Sequence, residues 1–370
     1  MLYLDNAATT LIKPRSVAAE MLHALNTASS PGRGGHYPAM NAAKIVYRCR
    51  EAAASMFNVP EPEQVVFTQN ATHALNIAIN SLVGKNDTVL ISGYEHNSVT
   101  RPLEATGCKI VVAYSPLFDK SAVLESFREK IEDADVVICT HVSNVFGFVL
   151  PIYEIAGLCK EYSVPFIVDA SQSAGILDVD FQKLDAEFVA MPGHKALFGP
   201  QGTGILLSRN AGKVLISGGT GSESRNQLMP EFLPDRHEAG THNVPGIAGL
   251  FAGINYVSTC GLANIRKHEQ ILINEITERL SEVEGIELFY GDNESQIGVL
   301  SFRCENIACE ELAEKLGVEG ICVRSGLHCS PYAHRSAGTL DTGTVRLSVS
   351  PFVTLENTKD FCRILQKLLN

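Results

Sequence analysis

Across residues 64–208 short apolar runs alternate with amphipathic stretches. The runs are Val65-Val66-Phe67, Thr88-Val89-Leu90-Ile91, residues 109–113, Val136-Val137-Ile138-Cys139, residues 164–168 and Phe188-Val189-Ala190-Met191. Near-continuous apolar runs are strands buried on both faces, and their alternation with helices is the pattern of a parallel α/β sheet. Such a sheet holds ligands in the crevice beyond the carboxyl ends of its strands. Five of the runs are followed by polar residues able to do chemistry: Thr72, His96, Asn144, Asp169 with Gln172, and Lys195. One such coincidence means little, whereas five point to a single cleft.

Lys195 lies in Met191-Pro192-Gly193-His194-Lys195-Ala196-Leu197-Phe198-Gly199, where the glycines are expected to let backbone approach a bound group closely. A lone loop lysine is ordinarily a surface residue. Asp169, closing the preceding strand in Phe166-Ile167-Val168-Asp169-Ala170-Ser171-Gln172, changes that reading. Pyridoxal phosphate enzymes need a lysine for the Schiff base and an acid for the pyridinium nitrogen. On these two motifs the chain resembles the class V aminotransferase family of pyridoxal phosphate enzymes. The resemblance runs from Leu4-Asp5-Asn6-Ala7-Ala8-Thr9 to Arg346. It implies an aspartate-aminotransferase-like fold: a large domain with a mainly parallel sheet of the seven-stranded type, and a smaller α+β C-terminal domain. The expected bounds are 14–255 for the large, cofactor-binding domain, with 1–13 and 256–370 forming the small one.

The resemblance also implies roles. Lys195 would hold the cofactor and shuttle a proton at the substrate Cα; Asp169 would face the ring nitrogen. Gln172 and Asn144 match the partners of the ring hydroxyl oxygen, and Asn144 lies near the substrate carboxylate in relatives. His96 matches the histidine stacked on the ring. The phosphate is expected at Thr68-Gln69-Asn70-Ala71-Thr72-His73, at the start of a helix, where free N–H groups and the dipole favour an anion. Relatives have Gly-Thr-Thr-Glu where Asn70-Ala71-Thr72-His73 stands, and Ser or Thr at Pro192. Both changes remove hydroxyl donors, so His194 and Thr241 are candidates for part of the cup. In relatives the Glu238-Ala239-Gly240-Thr241 segment reaches into the neighbouring subunit's site, which implies a homodimer with shared active sites.

After Gly246 long helices over 247–258 and 262–283 lead to strands over 286–289, 297–303, 320–323 and 345–349, with helices over 310–316 and 355–369. Here Arg324-Ser325-Gly326-Leu327-His328-Cys329 resembles the Arg-x-Gly-His-His-Cys loop of cysteine desulfurases and selenocysteine lyases of the short-loop group. Cys329 falls on the nucleophile's position, with Leu327 replacing the first histidine. A cysteine beside His328 and downstream of Arg324 is in an electropositive setting that favours thiolate. Arg346 matches the arginine that grips the substrate α-carboxylate through a two-pronged contact, with Arg324 as a second substrate-side cation. The implied reaction is removal of sulfur from L-cysteine, giving alanine and a persulfide on Cys329, with a sulfur-acceptor protein and iron–sulfur cluster assembly downstream. Three alternatives stay open: selenocysteine lyase, an aminotransferase or other lyase with Cys329 incidental, and a non-enzymatic sulfur-relay protein.

Near the N-terminus, helices are expected from Pro14, with Val17, Met21, Leu22 and Leu25, and over 40–57, with Ile45, Val46, Ala53 and Met56. Between them Ser29-Ser30-Pro31-Gly32-Arg33-Gly34-Gly35-His36 reads as a mobile active-site loop. A net charge of −11 argues against nucleic acid and anionic membrane as partners. No run approaches the roughly 18 apolar residues of a membrane helix, and no signal peptide is visible. Ten cysteines without a Cys-x-x-Cys pair suggest a reducing, cytoplasmic setting. No metal is expected: His237-Glu238-Ala239-Gly240-Thr241-His242 has one residue too many for zincin spacing.

Overall fold

Both faces of the central sheet are covered, as the unbroken apolar runs require. The computed structural model describes residues 1–31 and 34–369. Gly32 and Arg33, within the expected mobile loop, lie outside the described residues. The chain opens with β1 (Leu2–Tyr3), α1 (Arg15–Thr27) and α2 (Tyr37–Met56). The alternation then runs β2 (Val65–Thr68), α3 (Ala71–Leu82), β3 (Thr88–Ser92), α4 (Asn97–Thr106), β4 (Lys109–Ala113), α5 (Lys120–Arg128) and β5 (Val136–Thr140). It continues through α6 (Ile152–Tyr162), β6 (Phe166–Asp169), α7 (Phe181–Leu184), β7 (Phe188–Pro192) and β8 (Gly204–Ser208). Helices α8 (Val244–Cys260) and α9 (Leu262–Leu280) lead to β9 (Ile286–Phe289), β10 (Val299–Cys304), α10 (Cys309–Val318) and β11 (Ile321–Cys322). The last elements are β12 (Arg324–Gly326), α11 (Pro331–Ser336), β13 (Thr344–Ser348) and α12 (Leu355–Leu369).

Strands β2 to β8 form one seven-stranded sheet in the order β2-β8-β7-β6-β5-β3-β4. β3 to β7 run parallel, and β8 alone is reversed against its neighbours β2 and β7. Successive side chains take opposite faces, as the strand period of two demands. Phe67, Leu90, Val137, Val168 and Met191 join a core with Val46 of α2, Ile155 of α6 and Ile247 of α8. Val66, Val89, Ile138, Ile167 and Ala190 join a second core with Leu75 of α3 and Leu103 of α4. A third core packs Leu4, Leu272, Phe302, Leu312, Leu347 and Phe361 against the antiparallel sheet β12-β13-β10-β9. β1 pairs in parallel with β11, so the N-terminus is stitched to the C-terminal elements.

Several expectations are corrected. On α1, Val17 is buried but Leu22 and Leu25 are 61% and 64% exposed. This helix rests on α8 through small residues, with Met21 close to Gly249, so only a narrow stripe is covered. α2 starts three residues earlier than expected. The Nδ1 of His36 accepts the Ala39 N–H at 3.4 Å, and Pro38 fits the first turn, which lacks hydrogen bonds. The strand expected over 320–323 shortens to Ile321–Cys322, which pairs with β1, and Arg324–Gly326, not expected as a strand, pairs with β13. The expected strand over 297–303 begins only at Val299. Glu238, in the near-zincin segment, is structural. Its carboxylate takes Arg50 at 2.9 and 2.8 Å, the Phe67 N–H at 2.6 Å and His242 at 2.6 Å. Those contacts hold it down at about 2 despite burial.

The glycines around Lys195 serve packing rather than ligand approach. A Cβ on Gly193 would lie 2.3 Å from Thr203 Oγ1, and one on Gly199 2.8 Å from Leu250 Cδ1 of α8. Across the contact, a Cβ on Gly253 of α8 would lie 2.1 Å from the Leu197 carbonyl oxygen. The turn after Lys195 is thus pressed backbone-to-backbone onto α8. Gly253→Ala should therefore destabilise the protein by about 1–3 kcal/mol through overpacking, although alanine is the better helix former. A urea midpoint equal to or above that of the parent protein would contradict this account of the contact.

Candidate active site

A cavity of about 220 Å³ opens at the carboxyl ends of the parallel strands. Asp169 ends β6, and Lys195 lies three residues beyond β7. Asn144 follows β5, His96 caps α4 after β3, and Ala71 and Thr72 open α3 after β2. All of these line the cavity, together with Gln172 and His194. The C-terminal elements supply Arg324 from β12, Arg346 from β13, and Cys329 from the loop before α11. The structure thus brings together eleven of the twelve residues singled out in the sequence. Thr241, the twelfth, does not line this cavity; it borders two others. The larger of those, about 660 Å³, is lined by Arg50, Glu238 and Thr241 and contains neither a lysine nor a cysteine.

Burial pushes the Lys195 ammonium down to about 8; the Asp169 carboxylate opposes this shift, and Arg346 and Arg324 add to it. Asp169 is buried, and desolvation raises its pKa against the pull of Ser171 and Lys195. Its Oδ1 accepts the Ser171 N–H at 2.9 Å, and it has no ion pair among the described residues. His96 is pushed down to about 4 by burial, with Lys195 and Arg346 adding to the effect. Its Nδ1 accepts the Ser98 N–H at 3.0 Å, so the neutral ring carries its proton on Nε2. His194, also near 4 through burial and Lys195, is oriented by Thr9 Oγ1 at 3.0 Å from its Nδ1.

The start of α3 makes an anion cup. Asn70 caps the helix by accepting the His73 N–H at 2.9 Å. The N–H groups of Ala71 and Thr72 have no intrahelical acceptor, as at any helix start. Thr72 Oγ1 lies 2.8 Å from Ser98 Oγ, and Ser171 and His194 complete the rim. Pyridoxal phosphate makes three demands: an amine of depressed pKa, a buried acid for the ring nitrogen, and a cup of donors for the phosphate. Lys195, Asp169 and the α3 cup meet them, even though Ala71 and Pro192 carry no side-chain donor. Among the described residues no cluster of metal-ligating side chains forms.

Opposite the lysine, Arg346 is buried and held at both terminal nitrogens. Nη1 donates to the Asn144 carbonyl at 2.9 Å and Nη2 to Asp5 Oδ1 at 2.6 Å. Asn144 also ties down the cysteine loop: its Nδ2 donates to the His328 carbonyl at 2.8 Å, and its Oδ1 accepts from Ser330 Oγ at 2.5 Å. The Asn97 N–H donates to the Cys329 carbonyl at 2.7 Å. Within this frame His328 and Cys329 adopt φ of 48° and 58°, the left-handed region that costs an L-residue roughly 1–2 kcal/mol. The turn thrusts Cys329 outward. It alone of the ten cysteines is exposed, while burial pushes Cys159 and Cys362 up to about 12. Asp5, Ser98, Ser171 and Ser330 escaped residue-level reading. Asp5 and Ser330 act through other side chains, Ser98 and Ser171 also line the cavity, and only proximity in sequence to His96, Asp169 and Cys329 hinted at three of the four.

The profile of the class V aminotransferase family matches residues 2–361. A probable cysteine desulfurase of Methanothermobacter thermautotrophicus is 33% identical, the alignment covering 99% of this chain and 94% of that protein. One from Pyrococcus abyssi is 32% identical, with coverage of 100% and 94%. The apo structure of a cysteine desulfurase from Thermococcus onnurineus NA1 superposes with a TM-score of 0.92 at 31% identity, covering 99% of this chain and 94% of that one. With the family profile spanning almost every element that shapes the cavity, this chain belongs to the class V aminotransferases.

Proposed function

We propose that the protein is a cysteine desulfurase: L-cysteine gives up its sulfur to Cys329 and leaves as L-alanine. The observation that carries the reading is the exposed Cys329, held on a strained turn at the rim of the cavity that also contains Lys195 and Arg346. The relatives described above, named as cysteine desulfurases over the full chain length, support it. Class V aminotransferases depend in general on pyridoxal phosphate. When bound, that group acts as an electron sink for bonds broken beside its ring. Lys195 would hold it and Asp169 would face its ring nitrogen, with Gln172 and His96 against the ring and Ala71, Thr72 and His194 around the phosphate.

The chain's own residues divide the remaining work. Arg346 and Asn144 hold the substrate carboxylate, with Arg324 adding positive charge at the rim. Lys195, with its lowered pKa, takes the Cα proton. Cys329 attacks as the thiolate: its sulfur bonds to the substrate sulfur as the substrate's Cβ–S bond breaks. The electron pair of the broken bond stays with the carbon fragment, which takes up a proton at Cβ, regains one at Cα from Lys195 and departs as alanine. The exposed persulfide can then be handed to a thiol acceptor. Thr241 does not line its own subunit's cavity, and exposed Leu22, Leu25 and Met40 leave apolar surface on α1 and α2. Both features support a homodimer in which Thr241 serves the other subunit's site.

Three substitutions test the reading. Lys195→Ala should abolish alanine release and the borohydride-reducible attachment of the cofactor; an adduct formed at another lysine would move the site. Arg346→Ala removes one side of a buried charge contact, a loss that costs about 2–5 kcal/mol. The KM for cysteine should therefore rise more than tenfold with cofactor content unchanged, and an unaltered KM would remove Arg346 from the site. Cys329→Ser should keep the cofactor while losing alanine release from cysteine and the protein persulfide, since serine forms neither thiolate nor persulfide. Alanine release at the parental rate would make Cys329 incidental and leave an aminotransferase or other lyase. Loss with cysteine but not with selenocysteine would indicate that the thiol is needed only for the harder bond.

A further inference from the structure

Arg346 sits in difficult surroundings. It is buried on β13, and its register partner on β12 is Arg324, directly opposite across the antiparallel pair. Like charges placed so repel, and Arg324 forms no ion pair among the described residues. An arginine side chain also has much rotational freedom to lose on being fixed. Asn144 contributes only a neutral carbonyl, at Nη1.

The one carboxylate paired with Arg346 among the described residues is Asp5, which does not line the cavity. Asp5 is itself rigidly placed. It bridges Ser348, two residues along β13 from Arg346. The Ser348 N–H donates to Leu4 O at 2.6 Å, Asn6 Nδ2 donates to Ser348 O at 2.9 Å, and the Ala7 N–H donates to Ser348 Oγ at 2.8 Å. The Tyr3 hydroxyl lies 3.1 Å from the Asp5 carbonyl and 2.8 Å from that of Thr9. The N-terminal segment therefore cannot drift while β13 stays put.

We propose that Asp5 is a positioning residue for Arg346, anchoring Nη2 from outside the cavity so that the remaining guanidinium protons meet the carboxylate of an amino-acid ligand. The inference rests on the reading of Arg346 as the carboxylate contact. It goes further in assigning the geometry of that contact to a residue at the far end of the chain. Without Asp5, Arg346 would keep its charge and lose its fixed plane.

The test is a comparison of L-alanine with L-alaninamide, bound to the protein loaded with pyridoxal phosphate and measured by calorimetry. The parent protein should prefer alanine at least tenfold. Asp5→Ala should cut that preference by about tenfold, as expected for loss of a charge-assisted contact, with little effect on alaninamide. Asp5→Asn, which keeps an acceptor in place, should retain most of the preference; a merely structural role would move both ligands together. An unchanged preference in Asp5→Ala, an equal loss for both ligands, or an Asn variant as impaired as the Ala variant would overturn the proposal. If Asp5→Ala does not fold, Asp5→Glu shifts the carboxylate by one methylene with charge intact. Its preference must then fall, and an unchanged value overturns the proposal equally. A parent protein that does not distinguish the two ligands refutes both the Arg346 assignment and this inference. The desulfurase reading is judged separately, by alanine release from cysteine.

Discussion

Burial of one lysine at the carboxyl edge of a parallel sheet sets the terms for everything around it. Lys195 reaches the cavity because β7 ends there, and Asp169 because β6 ends beside it in the same direction. Had either strand run the other way, its terminal residue would lie at the opposite edge of the sheet, a strand length away. The lone reversed strand, β8, follows from the same demand. After Lys195 the chain doubles back through a tight turn against α8 and returns antiparallel to β7, which keeps that turn under the lysine. The close glycine contacts are what make so sharp a return possible.

Charge in the cavity is set by few groups. His96, His194 and His328 are pushed down to about 4, 4 and 2, mainly by burial with nearby cations adding to it, so none is charged near pH 7. Glu95, beneath the site and fully buried, is pushed up to about 8. Burial thus opposes a second negative charge beside Asp169. What remains is Lys195, Arg324 and Arg346 facing Asp169, with Asp5 behind. That balance attracts anions, which suits a phosphate at one end and a carboxylate at the other. It also adds to the burial that keeps Lys195 easy to deprotonate, since both arginines disfavour its charged form.

The large sheet was legible because its strands are buried on both faces, which leaves unbroken apolar runs; β4 was read to the residue. The amphipathic helices were harder. Leu22 and Leu25 fit the periodicity of a buried face, but the partner of α1 is a flat run of small residues that covers only part of it. Periodicity reports which residues can be buried, not how wide the neighbour is. That Arg324–Gly326 forms a strand of its own, β12 beside β11, was hidden for a related reason. Each is only two or three residues long, and what separates them is the choice of partner, β1 or β13. In the site, residues that end strands were found and residues that act through others were not. Nothing local to Leu4-Asp5-Asn6 announces a contact with an arginine 341 positions away.

The opposed environments of Lys195 and Cys329 are the last consequence of this architecture. Acid–base work at a Cα profits from desolvation, which lowers the lysine and keeps water from the reacting carbon. A nucleophile that must release its cargo to another molecule needs the reverse, access to solvent. The same burial that fits Lys195 for its task would disable a cysteine, as Cys159 and Cys362 illustrate. The left-handed turn at His328 and Cys329 resolves the conflict. It costs backbone strain, held in place by Asn144, Ser330 and the Asn97 N–H, and in return keeps a solvent-exposed sulfur at the rim of a buried cavity. Because Asn144 also carries the carbonyl that anchors Arg346, the carboxylate grip and the nucleophile loop share one residue. A shift in either must therefore be felt by the other.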